Sequence, residues 1–239
     1  QQDIDMAESD AVPAAEEAAK ADEILQEFDT PSRSHGPGMA ATLAAIAAIW
    51  SLFQLWIASP LPFQFGIGIV SGVPARSIHL AFGLLLCFLM FPATARGRSR
   101  GLPFYDLIIA LVATGCALYL FLGHEGLTKR VGVLLEQQIF GVTVPTEALI
   151  GGFGILLLLE ATRRAIGLPL VIICSVFLIF SIFGQSMPDI IAHKGVSIER
   201  LIGYQWLTGE AIFGIPIDVS VSFVFLFVLF GAHLDKAGA

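Results

Sequence analysis

The stretch LEATRRAIGLPL, Leu159–Leu170, sets Glu160, Arg163 and Arg164 in the middle of a long apolar run. Upstream lies ALIGGFGILLLLEA, from Ala148, and downstream VIICSVFLIFSIFG, ending at Gly184. As one helix, some forty residues would extend ~60 Å, about twice the hydrocarbon thickness of a bilayer. The chain is therefore expected to turn back, with the charges marking the turn. Two arginines near the bilayer centre would be costly; at its surface they snorkel into the headgroups. Glu160 precedes Arg163 by three positions and Arg164 by four, so it can pair with either on one helix face. Gly167 and Pro169 suit the start of the next helix.

Composition agrees with a membrane chain. Of 239 residues 56% are apolar and 14% charged, with a mean hydropathy of +0.80, against about 25% charged in a typical soluble domain. Ten of the 20 acidic residues precede Met39, opposed there by Lys20 and Arg33 alone. Residues 1–38 thus read as an acidic tail, with one exposed helix in AAEEAAKADEILQEF after Pro13. A basic amphipathic helix would suit anionic lipid; this acidic one reads as a solvated cytoplasmic tail. Cys87, Cys116 and Cys174 lie in apolar runs without CxxC spacing and read as small apolar filler.

A spanning helix needs about 20 largely apolar residues. Six segments are expected, making an all-α polytopic bundle: Met39–Ala58, Ser77–Ala93, Tyr105–Gly123, Thr146–Ala161, Ala165–Gly184 and Ala211–Ala232. Lys and Arg near helix ends set orientation. Arg96, Arg98 and Arg100, within ATARGRSRG, place that loop in the cytoplasm. Alternation puts the N-terminus, Arg163, Arg164 and Lys236 on the same side, eight basic residues in all. Arg76, Lys129, Arg130, Lys194 and Arg200 fall on the outer side. Both long outer loops, 124–145 and 185–210, are expected to carry interfacial helices. In the second, Ser197 would cap the helix, and Tyr204 and Trp206 would sit at the membrane surface.

The polar residues near or within the spans show no motif of a hydrolase, phosphate-binding loop or metal centre. The chain is read as non-enzymatic, without cofactor. His79 is either a packed core histidine or a proton relay. Asp106 and Glu147 fall in the first turns of their helices, where a carboxylate complements the dipole and reaches the interface. Asp218, two residues after Pro216, is either an intramembrane functional group or the first turn of a helix that starts at the proline. Small-residue spacings, Ala40/Ala44/Ala48 and Ala41/Ala45 in segment one and Gly151/Gly152/Gly154 in segment four, predict helix-packing faces.

LEATRRAIGLPL, followed by FGQSMPDIIAHKGVSIERLIG and AIFGIPIDVSVSFVFLFVLFGAHLDKAGA, resembles the fused permeases of tripartite ATP-independent periplasmic (TRAP) transporters, of the type that works with TAXI-class binding proteins. Upstream, LFQLWIA, RSIHLAF and LPFYDLIIA look like the four-helix small-subunit part of that fusion. The resemblance implies a secondary transporter of the bacterial inner membrane. A periplasmic solute-binding protein would deliver an organic acid or similar solute, and a sodium or proton gradient would drive uptake. It also implies that residues 39–164 form the small scaffold domain and 165–239 the first two helices of the large domain, with substrate and ion sites in later hairpins. Arg76, Lys129, Arg130, Lys194 and Arg200 become candidates for meeting the binding protein. Lipid and the remainder of the large domain are further partners, and no nucleic acid is expected. Two other readings are a non-transporting membrane scaffold or assembly protein, and an intramembrane enzyme, which would require residues such as His79 and Asp218 to converge within hydrogen-bond reach.

Overall fold

A computed structural model describes residues 33, 35–94, 101–129, 134, 136–139 and 142–238. The acidic tail before Arg33 and Arg96, Arg98, Arg100 and Arg130 lie outside the described residues. The described chain is predominantly helical. In order it forms α1 (Pro37–Ala58), α2 (Leu61–Phe65), α3 (Val73–Met90), α4 (Phe104–Lys129), β1 (Gln137–Ile139), β2 (Val142–Val144), α5 (Thr146–Ala165), α6 (Leu168–Ile182) and α7 (Ile198–Trp206). The last helix, α8 (Ile215–Ala237), contains a π-helical turn at Ser220–Val224.

Among the described residues four helices are long and apolar enough to cross a membrane: α1, α3, the Phe104–Gly123 part of α4, and α8. This is compatible with a membrane protein. The other two expected segments are helical but differ in kind. Helix α5 carries Glu147, Glu160, Arg163 and Arg164 within 20 residues. Helix α6 has 15, about 22 Å of helix and short of the ~30 Å hydrocarbon layer.

A Gly-x-Pro signal starts three of the helices. Gly72 at φ +64° precedes Pro74 in α3, Gly167 at φ +111° precedes Pro169 in α6, and Gly214 precedes Pro216 in α8. Proline suits the first helical turn because the amide hydrogen it lacks would have no helical acceptor there. For this reason α3 begins at Val73 instead of Ser77, and α8 at Ile215 instead of Ala211.

The α5–α6 break falls where the charged stretch predicts. Helix α5 ends at Ala165, α6 begins at Leu168, and the left-handed glycine lies between them. The chain then returns along α5, since α7 packs on Gly151 and Gly154 in the first half of that helix.

The two long loops correct two expectations. No interfacial helix forms over 137–144: the described residues there are a two-stranded antiparallel hairpin pairing Gln137 with Val144 and Ile139 with Val142. Consecutive β-branched Val142, Thr143 and Val144 favour strand over helix. In the second loop α7 forms as expected, with the Ser197 hydroxyl accepting from the Arg200 backbone N–H at 3.4 Å. Tyr204 is exposed, but Trp206 is fully buried rather than interfacial. Its indole N–H donates to the Cys116 carbonyl at 3.1 Å, and its ring meets Phe213 edge-on.

The core lies between α3 and α4, where Ala110, Ala113 and Ala117 let Leu84, Phe88 and Leu89 approach closely. Ser77 Oγ donates to the Ala117 carbonyl at 2.6 Å and ties the same pair of helices. The alanine faces expected on segment one do not pack: Ala40, Ala41, Ala44, Ala45 and Ala48 are exposed, while Leu43 and Gln54 turn inward. The larger side chains bury more surface against α3. The expected glycine face does pack. A Cβ on Gly154 would collide with the Trp206 indole, and one on Gly151 would lie 2.6 Å from Ile202 Cγ2.

Candidate functional site

Polar side chains gather at three places, all of them between helices. At one end, Asp106 in the first turn of α4 accepts from Arg33 at 2.6 Å and from Arg164 at 2.8 Å. All three side chains are buried, at 0–2% exposure. Arg164 Nε also meets Glu160 at 2.8 Å, and Arg163 pairs with both Glu160 oxygens, at 2.7 and 2.8 Å. Arg163 further donates to the Ala93 carbonyl at 3.0 Å, and the Arg33 backbone N–H to the Met90 carbonyl at 2.7 Å. The Arg164 guanidinium lies 4.9 Å from the Phe88 ring centroid. The hydrogen bonds that Arg163 donates to the Glu160 carboxylate hold the Arg163 pKa above its ordinary value. Burial, and then the Arg33 charge, hold the His35 pKa below its own.

The expected pairing of Glu160 with both arginines is thus present, but Arg164 does not snorkel. It turns inward because Asp106 offers a second carboxylate inside the bundle. Asp106 in turn does not reach an interface. Glu147, also in a first turn, is fully buried and accepts from the Tyr119 hydroxyl at 3.0 Å.

At the other end, Arg76 Nε on α3 pairs with Asp218 Oδ1 on α8 at 2.8 Å, and Arg76 Nη1 donates to the Phe213 carbonyl at 2.9 Å. Asp218 lies in the first turn of α8 after Pro216, with its side chain 49% exposed. Arg76, one of the five outer-face candidates, is therefore engaged within the fold. Lys194 and Arg200 are exposed, and Lys194 lines a cleft of about 310 Å³ with Gln185, Ser186 and Ser197. Helix α4 reaches Lys129.

The third cluster lies inside the bundle. Gln54 Nε2 on α1 is hydrogen-bonded to His79 Nδ1 on α3, and His79 Nε2 lies 3.2 Å from Ser220 Oγ in the π-helical turn of α8. Trp50 meets the His79 ring edge-on at 5.0 Å, and Phe225 lies 5.1 Å from Trp50 and 6.0 Å from His79. His79 and Asp218 do not hydrogen-bond to each other: Asp218 pairs with Arg76, and His79 with Gln54 and Ser220. Sequence reasoning missed Gln54 and Ser220. The signal for Gln54 was its position as an amide deep in a helix without charge. Ser220 gave none, since a serine in a spanning helix commonly bonds its own backbone.

Comparison of the chain with protein-family models, with curated proteins and with solved structures finds no match.

Proposed function

We propose that this chain is the membrane permease component of a secondary-active transporter of TRAP type, and that the region described serves mainly as its scaffold. On this reading the chain crosses the bacterial inner membrane six times with its N-terminus in the cytoplasm. A periplasmic binding protein delivers an organic acid or similar small solute, and a sodium or proton gradient drives uptake without ATP. The sequence resemblance of residues 159–239 supplies the transporter class. The observation that carries the scaffold role is the buried Arg33–Asp106–Arg164 bridge. It fastens the chain before α1, the start of α4 and the α5–α6 turn into one rigid end. Helix α6 has no buried residue, and the Phe225–Ala237 part of α8 has none. Such apolar faces suit lipid or further helices of a transport domain.

Reconstituted uptake tests the reading. The permease in proteoliposomes, given a TAXI-class solute-binding protein loaded with its solute, is expected to accumulate that solute only under an imposed sodium or proton gradient. Accumulation that needs ATP would overturn the secondary-active class. No accumulation under either gradient, or accumulation that proceeds without the permease, would leave the second reading, a non-transporting scaffold. The same pairing of polar groups within the fold favours that one.

A further inference from the structure

The cluster around His79 contains two polar atoms without a hydrogen-bond partner among the described residues. Gln54 is fully buried, and its Oε1 has no hydrogen-bond partner; neither does the buried Nε1 of Trp50. One is an acceptor and the other a donor. They stand four residues apart on α1, hence on one face, and both groups embrace the same imidazole. Phe82 stacks on Trp50 at 6.1 Å and Phe225 lies 5.1 Å from it, so aromatic rings flank the indole. Buried polar groups in folded proteins are nearly always paired, with protein or with ordered water. A water both donates and accepts, and it needs two to four polar partners.

We infer that Trp50 and Gln54 form a buried water site. The water accepts from Trp50 Nε1–H and donates to Gln54 Oε1. This completes a chain from Trp50 through the water, Gln54 and His79 to Ser220. With Gln54 Nε2 donating to Nδ1, His79 carries its proton on Nε2 and donates to Ser220 Oγ. The chain thus joins α1, α3 and α8, and it ends at the one turn of α8 whose backbone ladder is widened to π spacing. Such turns recur at functional sites because they free backbone groups to take new partners. A water in the joint lets the three helices shift slightly while every polar group stays paired.

The three tryptophans allow a test with an internal control. The whole chain, labelled with 15N at the indoles and held in lipid nanodiscs, is examined for magnetisation transfer from water to each indole N–H. Trp206, fully buried and bonded directly to the Cys116 carbonyl, gives the dry reference. The expected result is a water signal at Trp50 and none at Trp206, with the Trp50 signal lost in Gln54→Leu. A Trp50 indole as dry as Trp206 in the unaltered chain overturns the site, whatever the variant does. A Trp50 signal that survives Gln54→Leu also overturns it, because the water would then not depend on the amide. Loss of the signal on adding sodium chloride but not choline chloride would assign the place to a cation and equally overturn the proposal.

Discussion

Asp106 and Arg164 are joined at 2.8 Å across 58 positions of sequence, both side chains withdrawn from solvent, and the same carboxylate also holds Arg33. A buried carboxylate shared by two guanidinium groups is worth little against an apolar replacement of the whole set, but much against removal of one member. Asp106→Ala leaves buried Arg33 without its carboxylate and buried Arg164 with Glu160 alone. Its expected cost is about 3–5 kcal/mol, read as a large drop in the thermal unfolding midpoint in detergent. Retention of the wild-type midpoint would mean that water or headgroups already neutralise these arginines.

The pair at the opposite end predicts the contrary. Asp218 is half exposed, and an accessible ion pair contributes about 0–1 kcal/mol. Asp218→Asn is expected to change the midpoint little, and the small effect should shrink as salt is raised. A loss as large as that of Asp106→Ala would show that Asp218 is desolvated in the folded protein.

Trp206 seals α7 against α5 through the gap left by Gly154. Gly154→Ala inserts a methyl group where the indole lies, an overpacking cost of about 1–3 kcal/mol. Trp206→Ala opens a cavity at about 3–5 kcal/mol. Differential unfolding of the two variants checks the order. In Gly154→Leu, tryptophan emission should move to longer wavelength as the indole is expelled. An unshifted spectrum would mean that α7 does not dock there.

How much of this was legible follows from what each signal measures. The α5–α6 break was readable because three independent signals agreed: charge, a glycine and a proline, all within Glu160–Pro169. The glycine face of α5 was readable from its spacing. Its partner Trp206 was not, because a tryptophan near a membrane surface and one plugging a glycine gap look alike in sequence. The inward turn of Arg164 was equally hidden. It depends on Asp106, 58 positions away, and separation along the chain carries no distance in space. The hairpin at 137–144 was missed because apolar spacing alone does not separate a short strand from a helical turn; the β-branched run was the better cue.

The central claim is that the chain reverses at Arg163–Gly167, placing that turn on one side of a membrane and the loop after α6 on the other. Single cysteines at Ile166 and Gln185, both exposed, in a background with Cys87, Cys116 and Cys174 replaced, report this directly through a membrane-impermeant thiol reagent. Ile166→Cys should label in inside-out vesicles and not in intact spheroplasts, and Gln185→Cys the reverse. Labelling of both from the same side, or of Ile166→Cys from outside, would contradict the account.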